Sequence, residues 1–132
     1  MGRNRSLVSV VDDDESVREA LPDLLRQVGF AAEAFSSAEA FLASDAVSQT
    51  RCLLLDVAMP GMSGPDLQRE LKRRRETIPI VFITAYGDRT VRRSLLARGA
   101  VECLCKPFGE AALLDAVRAA LRPPYSRTAS AK

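Results

Sequence analysis

LVSVVDDDE, Leu7 to Glu15, runs a strand-like apolar segment straight into four acids. The β-branched run reads as a strand buried on both faces. Carboxylates at the edge of such a core lose hydration and repel one another, so they stay there unpaired only at a cost. Either they splay into water as the polar first turn of a helix, or they gather round a positive charge. The rest of the chain bears on that choice.

Outward from this stretch, apolar runs alternate with helical patterns. After the Leu7 to Val11 strand, Ser16 to Val28 predicts a helix closed by Gly29. Phe30 to Phe35 reads as a weak, edge-like strand, and Ser36 with Glu39 has capping-box spacing ahead of a short helix, Ala38 to Ala43. Cys52 to Leu55 is a continuous apolar strand ending at Asp56. The turn AMPGMSG leads to a helix from Pro65 to Arg74, with Ser63 and Asp66 placed to cap it. Ile80 to Ile83 is the next strand, ending at Thr84, and a helix from Asp88 to Arg98 stops at Gly99. Val101 to Cys105 makes the last strand, followed by Lys106-Pro107-Phe108 and a helix from Glu110 to Leu121.

Strict βα alternation, five times over, predicts an α/β fold: a doubly wound, five-stranded parallel sheet with helices on both faces. Pro22 conflicts locally, since inside a helix it deletes the bond to the Arg18 carbonyl at about 3 kcal/mol. A kink, or a helix that begins late, is expected there.

The bulk numbers exclude several classes. At 132 residues the chain suits one domain, residues 1–121, with residues 122–132 forming a tail or linker start around Pro123-Pro124. A net charge of +2 is too small to argue for nucleic acid or an anionic membrane, and neither is expected as a direct partner of this domain. The basic tract Lys72-Arg73-Arg74-Arg75 falls at a helix end, where the dipole favours cations. No apolar run nears the roughly 18 residues of a membrane span, and no signal-peptide region follows Met1, so the chain reads as cytoplasmic. Cys52, Cys103 and Cys105 are an odd set without metal spacing, and their apolar surroundings predict buried, reduced thiols.

Four strands end in reactive groups: Asp12 and Asp13, then Asp56, then Thr84, then Lys106. In open α/β sheets the carboxyl ends of the strands line one ligand crevice. Three acids against one lysine leave a net charge that a divalent cation neutralises. Oxygen ligands without His or Cys favour a hard ion, Mg²⁺ or alternatively Mn²⁺. Singly, each residue has a plain reading: helix-start acids for Asp12 to Asp14, a turn for Asp56, a strand-end hydroxyl for Thr84, a surface cation for Lys106. Those readings leave the joint appearance at successive strand ends unexplained.

VVDDD, LLLDVAMPGMSG, VFITAYGD and RGAVECLCKPF together resemble response-regulator receiver domains of two-component signalling, over residues from about 6 to 121. SAEAFLAS, ITAYGD and the KPF ending resemble the nitrogen-fixation and nodulation type of transcriptional regulator. The resemblance implies a flavodoxin-like sheet of order 2-1-3-4-5 and a phosphoacceptor signalling domain rather than an enzyme. By position, Asp56 resembles the phosphoacceptor for a sensor histidine kinase's phosphohistidine. Asp13 resembles the direct metal ligand, Asp12 one acting mostly through water, and the Ala58 carbonyl completes the set. Thr84 and Lys106 resemble the hydroxyl and cation that stabilise the phosphoryl group, with a cis Lys106-Pro107 bond.

One departure stands out: similar domains carry an aromatic residue three before the lysine, and here it is Cys103. That puts the usual threonine–aromatic coupling in doubt, with Tyr86 as a substitute for part of it. The alternative is a phosphorylation-independent pseudo-receiver, which usually loses an acid, the threonine or the lysine; all are present here. An aspartyl-phosphate hydrolase of the haloacid type wants an acid where Ala58 stands. The resemblance further implies a homodimer on phosphorylation through the fourth helix, last strand and fifth helix, a face carrying Arg92, Arg93, Glu102 and Asp115. Output is either by protein contact or through a DNA-binding part beyond Lys132.

Overall fold

The computed structural model describes residues 5–85 and 89–122. Five parallel strands, β1 (Leu7–Val11), β2 (Ala31–Phe35), β3 (Thr50–Asp56), β4 (Ile80–Thr84) and β5 (Glu102–Cys105), form one sheet in the order β2-β1-β3-β4-β5. The helices are α1 (Glu15–Gln27), α2 (Ala38–Leu42), α3 (Gly64–Arg73), α4 (Arg89–Ala97) and α5 (Glu110–Leu121). The α/β class and the order 2-1-3-4-5 are as expected.

Period-two alternation splits the core into two layers. Leu53, Leu55 and Phe82 point to one face, where Phe41 of α2, Leu67 and Leu71 of α3 and Leu95 of α4 cover them. Cys52, Leu54, Val81 and Ile83 point to the other, under Leu25 of α1 and Leu113 and Val117 of α5. Each fully buried Leu or Phe contributes about 1.5–3 kcal/mol on transfer grounds. The buried hydroxyls of Ser9 and Thr50 bond each other at 2.7 Å, and Thr50 also donates to the Ala46 carbonyl at 2.6 Å. That satisfies the polar contact between β1 and β3.

Three local expectations need correction. First, α1 begins at Glu15, not Ser16, because Asp14 takes the N-cap and accepts from the Ser16 amide at 2.9 Å. It does not start late: the helix runs through Pro22, whose ring is buried beside Leu21 and Leu25. Second, Ser36 does not cap α2. Ser37 does, accepting from the Ala40 amide at 3.0 Å, while Glu39 reaches away to the Met62 amide at 3.1 Å. The helix ends at Leu42 and is followed by a 3-10 turn, Asp45–Ser48. Third, Cys52 and Cys103 are buried but Cys105, the last residue of the edge strand β5, is exposed.

The capping box on α3 is present in both directions, Ser63 with Asp66. Lys72 and Arg73 occupy its last turn, and Arg75 follows in a left-handed conformation at φ 63°. The Glu76 amide bonds the Leu71 carbonyl at 2.9 Å, so this is a Schellman stop with arginine where glycine is usual. Among the described residues, no helix is long and apolar enough to cross a membrane. Residues 123–132 of the expected tail, the Asp88 start of the fourth helix and Tyr86 lie outside the described residues.

Candidate phosphoacceptor and metal site

Neighbouring strands deliver the polar side chains to one end of the sheet. β1 pairs with β3 so that Val11 lies opposite Leu55, which sets Asp12 beside Asp56. The Asp12 amide donates to the Phe35 carbonyl at 3.1 Å and the Val57 amide to Ile83 at 2.9 Å, so both acids leave their strands on anchored backbone. Thr84 pairs with Cys105, and the Lys106 amide donates to the Thr84 carbonyl at 2.8 Å. The Lys106-Pro107 bond is cis.

Asp12 is fully buried. One carboxylate oxygen accepts from the Asp14 amide at 2.9 Å. The other lies 3.2 Å from Lys106 Nζ as an ion pair but takes no hydrogen bond. Asp13 is exposed and Asp56 buried, and carboxylate oxygens of Asp12, Asp13 and Asp56 lie within 4.8 Å of one another. Burial, and next the Asp12 charge, push the Asp56 carboxyl from 3.8 up to about 7, with Lys106 pulling the other way. Asp14 belongs to the helix instead: the Ser16 hydroxyl and amide hold its carboxyl below the usual range.

Asp13, Asp56, Ala58, Thr84 and Lys106 line one cavity of about 430 Å³. A cavity of about 420 Å³ at the other ends of the strands, lined in part by Thr50, Arg51, Glu76 and Arg122, gathers no acid cluster among the described residues. Three crowded carboxylates, all oxygen donors and one of them unable to ionise readily, suit a divalent cation. The acids of the opening stretch are therefore not merely the polar start of a helix. Asp12 turns inward, Asp13 joins the cluster from the exposed lining of the cavity, and Asp14 caps the helix.

Cys103 lies on β5 opposite Phe82, in the core layer facing Leu95 of α4, and burial raises its thiol above the ordinary value. Two residues not singled out from the sequence also shape the site. The Arg18 guanidinium donates to the Asp12 carbonyl at 3.0 Å from the second turn of α1. Gly64 packs its backbone on Asp56: a Cβ there would lie 2.4 Å from the Asp56 carbonyl oxygen and 3.0 Å from the Phe82 ring. Arg18 had a signal, an arginine one helical turn past the acids. The Gly64 contact had none, because it is made across the turn.

Comparison with known proteins agrees with this geometry. The response regulator receiver domain profile matches residues 8–118. The response regulator protein TodT of Pseudomonas putida is 47% identical over 122 residues, covering 92% of this chain and 54% of that protein. Nodulation protein W of Bradyrhizobium diazoefficiens is 47% identical over 116 residues, covering 88% of this chain and 51% of that protein. The chain thus spans about half the length of the curated relatives it matches. Among solved structures, the response regulator StyR superposes with TM-score 0.84 at 47% identity, covering 96% of this chain and 64% of that one. FixJ-N superposes with TM-score 0.80 at 36% identity, covering 90% of this chain and 95% of that one.

Proposed function

The chain belongs to the response regulator receiver domain family, and from that premise we propose that Asp56 is its phosphoacceptor. Membership makes it a two-component signalling domain rather than a classic enzyme and implies a cognate histidine kinase. The observation that carries the assignment is the convergence of three carboxylates within 4.8 Å beside the Lys106 ammonium.

In this reading an Asp56 carboxylate oxygen attacks the phosphorus of a kinase phosphohistidine. The O–P bond forms as the P–N bond breaks, and the electron pair leaves on the imidazole nitrogen. Such transfer needs positioning and charge neutralisation more than covalent help. Mg²⁺, or Mn²⁺ in its place, would be held by Asp12, Asp13, Asp56 and the Ala58 carbonyl, supplying charge that keeps Asp56 ionised and offsets the phosphoryl oxygens. Lys106, already paired to Asp12, contributes the second cation. Thr84, buried at the end of β4 and lining the same cavity, offers its hydroxyl to the acyl phosphate.

Phosphorylation adds about one further negative charge to a site otherwise near neutrality. That change biases the loop after Thr84 and the α4, β5 and α5 face, the kind of local electrostatic event that switches a bistable element. Cys103 has no ring to swing, so the output runs through the loop. On the output face Arg92 pairs with Glu102 at 2.6 Å, while Arg93 and Asp115 are exposed for a polar contact with a second activated copy. We place the protein in the cytoplasm, acting through protein contacts with no nucleic-acid contact by this domain. Some relatives are named transcriptional regulatory proteins, and in this reading the output is either a protein contact or a DNA-binding partner domain.

The test is incubation with Mg²⁺ and acetyl phosphate, read by intact mass. A gain of about 80 Da in the wild type, absent from Asp56→Asn and abolished by chelator, is the expected result. No gain in the wild type leaves a pseudo-receiver.

A further inference from the structure

We propose that Glu39 is a positioning residue for the cation site, holding the loop between β3 and α3 from outside. The inference rests on the phosphoacceptor reading, because that loop carries Asp56 at its start and the Ala58 carbonyl. Glu39 Oε2 accepts from the Met62 amide at 3.1 Å across 23 residues of chain. Gly61, beside it, has φ 75°, and a Cβ there would stand 2.9 Å from the same oxygen. The loop backbone therefore presses against the carboxylate, in a conformation and at a distance that glycine permits.

The rest of the loop is tied locally. Its start is fixed by the Val57 and Gly64 amides, which bond Ile83 and Val57 at 2.9 and 3.0 Å. Its end is fixed by the Ser63–Asp66 capping box, and Met59 plugs into the core. Between these anchors Pro60 and Gly61 are exposed while Met62 packs partly on the core, and Glu39 reaches the Met62 amide from another element. Ser37 already caps α2, so Glu39 is free for this longer reach. A hydrogen bond from a backbone amide to a carboxylate is charge-assisted. Losing it loosens the loop segment that follows Ala58, a residue lining the Asp56 cavity.

Glu39 is a carboxylate near a cation site, so its charge alone could also favour metal binding. The variants separate the two. Glu39→Ala removes both charge and acceptor; Glu39→Gln removes the charge and keeps an oxygen acceptor. The 132-residue chain is titrated with Mn²⁺ and read by electron paramagnetic resonance. Exchange of the Met62 amide is followed by NMR without metal.

Glu39→Ala is expected to weaken Mn²⁺ binding about threefold to tenfold and to speed Met62 exchange by a similar factor, with Glu39→Gln recovering most of both. Unchanged Mn²⁺ affinity in Glu39→Ala overturns the proposal, as does a Glu39→Gln variant as weak as Glu39→Ala. A wild type that binds no Mn²⁺ sinks the phosphoacceptor reading instead, while Met62 exchange still reports whether the tie exists.

Discussion

Replacing Asp56 by asparagine should stabilise the metal-free protein above neutral pH, although it removes the residue on which the proposed chemistry turns. Burial and the Asp12 charge raise the Asp56 carboxyl from 3.8 to about 7 in the folded chain. The unfolded chain carries it near the ordinary value. Below about 3.8 both states hold the proton and Asp56 contributes nothing. Between about 3.8 and 7 the unfolded state has lost the proton and the folded state keeps it, so stability falls as pH rises. Above 7 both states are ionised and the penalty is constant.

A shift of about three units corresponds to roughly 4 kcal/mol. Direct repulsion gives a similar scale: two charges 4.8 Å apart cost about 3–4 kcal/mol at an effective dielectric of 20. The cavity opens to water and Lys106 offsets part of the field, which brings the expectation to about 2 kcal/mol. Urea denaturation in chelator at about pH 8 should therefore show Asp56→Asn more stable than wild type by about 2 kcal/mol. The two should converge near pH 4. Added Mg²⁺ should stabilise the wild type more than the variant, since the ion binds the folded acids. A variant no more stable than wild type at pH 8 would refute the claim that the carboxylates crowd one another.

Gly64→Ala must push a Cβ into space 2.4 Å from the Asp56 carbonyl, so it should cost about 2–3 kcal/mol by urea denaturation and slow the mass gain from acetyl phosphate. Arg75→Gly relieves the left-handed φ of 63° at the end of α3 and should stabilise the protein by about 1 kcal/mol in thermal melts. Lys106→Met removes the cation that lowers the Asp56 carboxyl, so carbon NMR of Asp56 should show it titrating at higher pH than in wild type. The same variant should accept phosphoryl from acetyl phosphate about a hundredfold more slowly.

The polar residues of the site were legible because each follows an apolar run, and topology does the rest. Four of the strands carry a carboxylate, hydroxyl or ammonium at or just past their carboxyl ends. Asp12, Asp56, Thr84 and Lys106 all mark such ends, so strand alternation brings them to one end of the sheet. Asp56, Thr84 and Lys106 line the cavity, and Asp12 is buried against Lys106. Helix ends were harder. Asp12 to Asp14 offer several cap registers by local rules, and Asp14 takes the cap because Asp12 is turned inward toward Lys106. Pro22 carries a local cost that burial beside Leu21 and Leu25 partly offsets, and propensity has no access to that tertiary gain.

Ser36 and Ser37 illustrate the same limit more sharply. Capping-box spacing selects Ser36 through Glu39, yet Glu39 spends its carboxylate on an amide 23 residues away, and Ser37 caps alone. A motif within one helix turn competes with every backbone donor the fold brings near, and one-dimensional spacing cannot weigh that competition. Gly64 behaves alike: its missing side chain answers to the Asp56 carbonyl across a turn. The acids and the lysine announce themselves by type and position, whereas the residues that hold them in place do so through contacts that exist only once β3 and α3 are packed. The second group therefore determines how steadily the first converges, and substitutions at Glu39 and Gly64 probe the site without altering any group in its charge count.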